Sequence, residues 1–308
     1  MCYTRFRQIE ALLSLPGLFF LKIIRYNLAM KNMRILTFFA SISLALQPQA
    51  FAAGDDWQRH YDVGKDFLDR QQYQLAVKEF DLSLKQKVTP KALVDRGTCR
   101  SEMGKYQEAL ADLDQAIRMS PDFGLAHVNR GVVYFRTGQA EKAIADFDRA
   151  LLINGNDQYA MVNRAGAYMM LPASKAAILA QNTEKLLDAT NWRIDLAGHA
   201  AVLTALTYNA GKQPDKARAL MQKALSKLNR LHWPYPVCKY LLGKAKEEDV
   251  LEASADSTYD LTQAQAFLAI DLLNKGDKAR AREKLSFVTR HGTVNSVEYW
   301  LAKYLSKP

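Results

Sequence analysis

The chain has 308 residues, 49% of them apolar and 24% charged, which excludes a disordered polypeptide and leaves room for one elongated repeat domain or two ordinary ones. The formal charge is +10, but residues 1–52 hold six Lys/Arg against one acid, and without them 36 basic residues face 31 acidic ones. The remaining charges alternate in sign with no dense basic stripe, so nucleic acid is not an expected partner.

The first segment reads as a leader over residues 1–52. Met30 to Arg34 is short and basic, and Ile35 to Leu46 is apolar apart from Thr37, Ser41 and Ser43. Ala50 and Ala52 then supply the small-x-small pattern that a signal peptidase accepts. Residues 30–52 are therefore read as a signal peptide, with cleavage near Ala52/Ala53 and a periplasmic or secreted mature chain. The apolar run is shorter than the about 20 residues of a membrane span. Residues 1–29 contain a second apolar run, Ala11 to Ile24, read as an extension ahead of a true start at Met30 or Met33, with a retained N-terminal anchor as the alternative. The mature chain is expected to have no transmembrane domain.

Helix pairs follow, from 53 to 230. Gly64, Phe67, Tyr73, Ala76 and Phe80 outline a first pair. The next two are nearly superimposable. Val94-Asp95-Arg96-Gly97 matches Val128-Asn129-Arg130-Gly131 and Val162-Asn163-Arg164-Ala165, each 34 residues on. Gly104 matches Gly138, Ala109 matches Ala143, Leu113 matches Phe147 and Ala116 matches Ala150. Small residues at Gly97 and Ala109 let two helices approach closely, and the larger Leu113 and Phe147 fill the space beside them. Gly104 and Gly138 relieve the turns, and Pro121 and Asn154 to Asp157 end the second helices. A fourth pair is degenerate, with Ala165, Tyr168 and Ala177 around Leu171-Pro172-Ala173. A fifth runs from Leu196 to Leu228, turning at Gly211 to Pro214.

Residues 231–261 break the pattern. Pro234 and Pro236 interrupt a helix, and two short helices are predicted over 237–242 and 248–255. Residues 262–305 restore it: a helix over 262–274, a turn at Gly276-Asp277, a helix over 279–288 and a capping helix over 296–305. End repeats need such covers.

These spacings strongly resemble the tetratricopeptide repeat family. Its small residues near positions 8, 20 and 27 of a 34-residue unit match Gly97, Ala109 and Ala116, then Gly131, Ala143 and Ala150. The resemblance covers nearly all of 57–305 and implies an all-α superhelix of stacked antiparallel helix pairs with a C-terminal capping helix. More loosely, residues 233–305 resemble the NlpI-type periplasmic lipoproteins, through Ala266 to Ile270, Gly276 to Ala279 and Gly292 to Tyr299. That likeness implies an adaptor for peptidoglycan hydrolases or envelope proteases. The lipid-bearing cysteine of that group has no counterpart here.

In the family the first helix of each pair lines a concave face that holds a protein or an extended peptide. Asn129 and Asn163, at the register of Asp95, could bond a peptide backbone, although such residues also join repeats. Arg96, Arg130 and Arg164 could grip a carboxylate, with pairing inside the chain as the alternative. Trp233 and Tyr235 are candidate anchors, or a plug between repeat blocks. Tyr168, Met169 and Met170 read as core. Asp112, Asp114, Asp146 and Asp148 are placed on the solvent faces of second helices. Neither Cys99 nor Cys238 has metal or redox spacing, and both are read as free thiols. The five histidines are scattered, and no nucleophile elbow, phosphate loop or dinucleotide fingerprint occurs. No catalytic residue, metal site or cofactor is expected. The expected function is a non-enzymatic adaptor or scaffold in the cell envelope. The alternative is a structural or assembly factor for a secretion, pilus or outer-membrane complex. Homodimerisation through the terminal caps is a further open reading, since incomplete capping leaves apolar surface.

Overall fold

The computed structural model describes residues 56–192, 196–230 and 233–307. The leader, its cleavage point, Cys2 and His232 lie outside the described residues. Among the described residues there are 15 helices and no strand.

Five antiparallel pairs come first: α1 (Asp56–Asp69) with α2 (Tyr73–Gln86), α3 (Pro90–Glu102) with α4 (Tyr106–Met119), α5 (Gly124–Arg136) with α6 (Ala140–Ile153), α7 (Gln158–Tyr168) with α8 (Ala173–Ala189), and α9 (Ala197–Ala210) with α10 (Pro214–Lys227). Two short helices follow, α11 (Tyr235–Leu241) and α12 (Glu247–Ala253). The last pair is α13 (Thr258–Lys275) with α14 (Lys278–His291), and α15 (Val297–Leu305) ends the chain. Local chemistry sets several starts. Thr89 accepts from Ala92 N at 3.2 Å with Pro90 as the first helical residue, and Asp157 accepts from Ala160 N at 2.9 Å. Ser257 accepts from Asp260 N at 3.2 Å, so α13 begins at Thr258, four residues before the expected Thr262.

The pairs close where the repeat spacing places small residues. A Cβ on Gly131 would stand 2.7 Å from the Phe147 ring, and one on Gly97 would stand 3.1 Å from Leu113. Phe147 and Leu113 are fully buried, so helices meet here at backbone distance. Gly104, Gly138 and Gly276 take the left-handed conformation in their turns. The same turn position is filled by Gln71 (φ 59°) before α2 and Lys212 (φ 56°) before α10. Gly211, at the head of the same turn, also serves packing: a Cβ there would lie 2.4 Å from that of Ala177.

An arginine–aspartate ladder ties successive pairs together. Arg96 donates to Asp112 through Nε (3.0 Å) and Nη2 (2.5 Å), and through Nη1 to Asp81 of the preceding pair (2.6 Å). Arg130 repeats this with Asp146 (2.8 and 2.7 Å) and Asp114 (2.7 Å). This corrects the solvent-face placement of Asp112 and Asp146, while Asp114 and Asp148 lie at the surface as placed. Asp112 and Asp146 are buried because an arginine 16 residues earlier reaches them across the helix pair, and Asp114 and Asp148 are the partly exposed ones. The ladder stops at Arg164, which donates to Asp148 at 2.7 Å. Ala180 stands where the next aspartate would be, and Arg164 Nε and Nη2 are buried with no hydrogen-bond partner.

The C-terminal half folds over the array. α9 is buried without a break from Ala197 to Tyr208, because α13 covers the side that earlier first helices leave open. Asn274 Nδ2 donates to Leu206 O at 2.9 Å across that contact. α15 packs on α13 and α14 and also reaches α7.

Candidate functional site

α5 and α7, with Glu102 at the end of α3, keep part of one side open. Leu125, Val128, Asn129 and Val132 of α5, Tyr159 and Asn163 of α7, and the start of α15 enclose a cavity of about 330 Å³. Its floor is apolar because every fourth position of α5 turns inward. Leu125 and Tyr159 remain exposed at its edge.

Asn129 and Asn163 both line this cavity. Asn129 Nδ2 donates to Thr98 Oγ1 at 2.9 Å, joining α5 to α3. Asp95, one repeat earlier, makes the equivalent link by accepting from Tyr61 Oη at 2.6 Å. Asn163 Nδ2 donates to Tyr159 O at 2.8 Å. Both amides thus have their nitrogens engaged, and neither Oδ1 accepts a hydrogen bond among the described residues. Arg96, Arg130 and Arg164 do not line the cavity: each guanidinium is held by carboxylates of its own chain. Carboxylates on both sides push the Arg130 guanidinium's pKa above its usual value.

Trp233 and Tyr235 also lie apart from it. Trp233 Nε1 donates to Gln263 Oε1 at 2.6 Å, which fastens the irregular segment to α13. Tyr235 is half-buried at the first position of α11. Tyr168 and Met170 are buried in the core. Cys99 and Cys238 are buried free thiols in separate clusters, and burial pushes each up to about 12.

Sequence reasoning overlooked Arg136, and it placed Trp300 only on one side of the capping helix with Val297, Leu301 and Tyr304. Arg136 pairs with Glu102 at 2.8 Å, donates to Ser101 Oγ at 3.2 Å, and meets the Val294 carbonyl and Asn295 Oδ1 at 3.4 Å. Its guanidinium also lies 5.4 Å from the Trp300 ring centre. It is therefore the knot between α3, α5 and the segment leading into α15. Gly166 offered a signal: at the register of Thr98 and Val132 it carries no side chain, and a Cβ there would stand 2.4 Å from Val297 Cγ1. The missing side chain is where α15 sits.

Among the described residues no cluster of His, Cys, Asp or Glu could hold a metal, and no helix is long and apolar enough to cross a membrane.

Residues 94–160 match the tetratricopeptide repeat family model. No curated protein matches the chain. Among solved structures, a tetratricopeptide repeat protein from Parabacteroides merdae superposes with a TM-score of 0.55 at 18% identity, covering 82% of this chain and 100% of that one. The C-terminal part of a repeat-containing protein from Cytophaga hutchinsonii gives 0.48 at 16% identity, over 77% of this chain and 97% of that one. At 18% identity the likeness to the Parabacteroides protein concerns the fold. Matched repeat, helix pairing and superposed architecture agree: residues 94–160 carry the tetratricopeptide repeat, and the described helices take the all-α tetratricopeptide fold.

Proposed function

We propose that the protein is a non-enzymatic adaptor of the cell envelope that holds a partner polypeptide in the concave cavity of α3, α5 and α7. The observation that carries this reading is the pairing of an apolar floor, Val128 and Val132, and an apolar edge at Leu125 with two amide oxygens that the protein itself does not use, on Asn129 and Asn163. An extended or helical segment brings apolar side chains for the floor and N–H groups for the oxygens. The fold supports protein partners in general. The envelope half of the reading is supported by residues 30–52, which have the charge and hydropathy of a signal peptide. The resemblance of 233–305 to NlpI-type lipoproteins favours cell-wall hydrolases or their proteases as the partners.

A photoreactive residue at position 129 or 163 of the full chain, followed by crosslinking in cells and pull-down, tests this. Discrete envelope proteins should be recovered at both positions and not from Leu152, which is 76% exposed on α6. No crosslinked partner from either position, or the same set from Leu152, overturns it.

A further inference from the structure

The last helix covers the concave face differently from the helix before it. α13 completes the burial of α9 from Ala197 to Tyr208, a contact lined mainly by apolar residues and crossed by the bond from Asn274 Nδ2 to Leu206 O and by that between His199 and Gln263. α15 meets α7 through few and mixed interactions. Val297 lies against Gly166, Leu301 is buried beside it, and Tyr304 Oη donates to Met170 O at 3.2 Å. The approach to α15 is held by Arg136 at 3.4 Å from Val294 O and Asn295 Oδ1. Beneath the helix Glu298 is 2% exposed, and its one hydrogen bond among the described residues is a 3.4 Å contact from Gln263 Nε2. A buried carboxylate with one long hydrogen bond opposes docking, although its place in the first turn of α15 offsets part of that cost. α15 also carries its own cap, Tyr299 N donating to Ser296 Oγ at 3.1 Å, so the start of the helix does not depend on a group from its seat. Its seat is continuous with the open cavity, because Ser296, Val297 and Trp300 line both.

We infer that the seat of α15 is an exchangeable helix-binding site, with α15 as its resident occupant. The partner it fits is an amphipathic helix that presents a β-branched residue, an aromatic–aliphatic pair and a tyrosine on successive turns, as Val297, Trp300, Leu301 and Tyr304 do. Such a helix displaces α15, occupies the floor at Gly166 and extends the cavity at Asn129 and Asn163. This rests on the concave-face reading proposed above and names the class of ligand.

The probe is a fluorescent peptide with the sequence of residues 293–308, titrated against the full chain. In the unaltered protein the tethered α15 competes at a high effective concentration. Val297→Arg removes the contact with Gly166 and frees the seat, so the peptide should bind at least about tenfold more tightly than to the unaltered chain. Adding Gly166→Val should abolish that gain, because its side chain fills the seat. A folded Val297→Arg protein that binds the peptide no more tightly than the unaltered chain overturns the inference. Should Val297→Arg not fold, hydrogen exchange on the unaltered chain decides. The last turn of α15 should exchange at least about tenfold faster than the middle of α13, and equal protection overturns the inference. The peptide titration does not involve the cellular partner, so failed crosslinking at position 129 with a positive titration condemns the adaptor reading alone.

Discussion

Asp112→Asn removes the negative charge and one of the two acceptor oxygens on which two arginines converge. The amide oxygen still accepts on one side, keeping either the Arg96 Nη2 bond made to Oδ1 or the Arg96 Nε and Arg100 Nη1 bonds made to Oδ2, while the amide nitrogen faces guanidinium donors from which it cannot accept. The Asp112 side chain is 4% exposed, so water cannot replace it without opening the joint between α3 and α4. Breaking a buried pair by removing one member costs about 3–5 kcal/mol. The low end applies here, about 3 kcal/mol, because Arg96 keeps Asp81 and Arg100 keeps a 3.4 Å contact with Glu108. Asp114→Asn is the matched control: two residues on, the same chemistry, but 40% exposed and bonded to Arg130 at 2.7 Å. It should cost less than about 1 kcal/mol, as for an exposed ion pair. Urea unfolding of both variants, followed by far-UV circular dichroism, gives the comparison. Coincident midpoints for Asp112→Asn and Asp114→Asn would refute the division of each Asp-x-Asp into a buried clamp and a surface partner.

Gly104→Ala should lower stability by about 1–2 kcal/mol, the backbone cost of φ +75° at a position with no neighbour within 4 Å, and thermal unfolding measures it. Lys212→Gly, at φ 56°, should raise stability by about 1 kcal/mol in the same assay. Gly131→Ala forces a methyl to 2.7 Å from the buried Phe147 ring and should cost about 1–3 kcal/mol, with Phe147→Leu recovering part of the loss in the double variant. Cys99 and Cys238, both buried and pushed up to about 12, should resist a thiol reagent at mildly alkaline pH in the native protein and react on unfolding, with mass spectrometry locating the label. Prompt labelling of either residue in the native state would contradict the packing described.

Most of the helix pairing was legible from residues alone, because a repeat states the same local solution several times. Gly97 and Gly131 sit opposite Leu113 and Phe147, each 16 residues on, and the sequence carries both halves of the contact within one repeat. Where the unit degenerates, the reading loses precision. The turn of the fifth pair falls within Gly211 to Pro214 as its residues predict, but the left-handed residue there is Lys212 and not the glycine, beside which Ala177 of a neighbouring pair is packed. The aspartates show a subtler limit. Their register was visible, but whether a carboxylate is solvated or buried depends on a guanidinium delivered from another helix, and side-chain reach is not a property of the helix that carries the acid.

The sequence by itself determined the all-α class, the repeat length, the places where helices meet and the interruption after residue 230. Each follows from interactions within about one 34-residue unit, where polar–apolar period, glycine and proline act locally. Tertiary structure alone decided which stretch of the concave face stays open. Contacts such as Gly166 with Val297, Met170 with Tyr304 and Arg136 with Asn295 join residues more than one hundred positions apart, and no local pattern encodes where a chain returns upon itself.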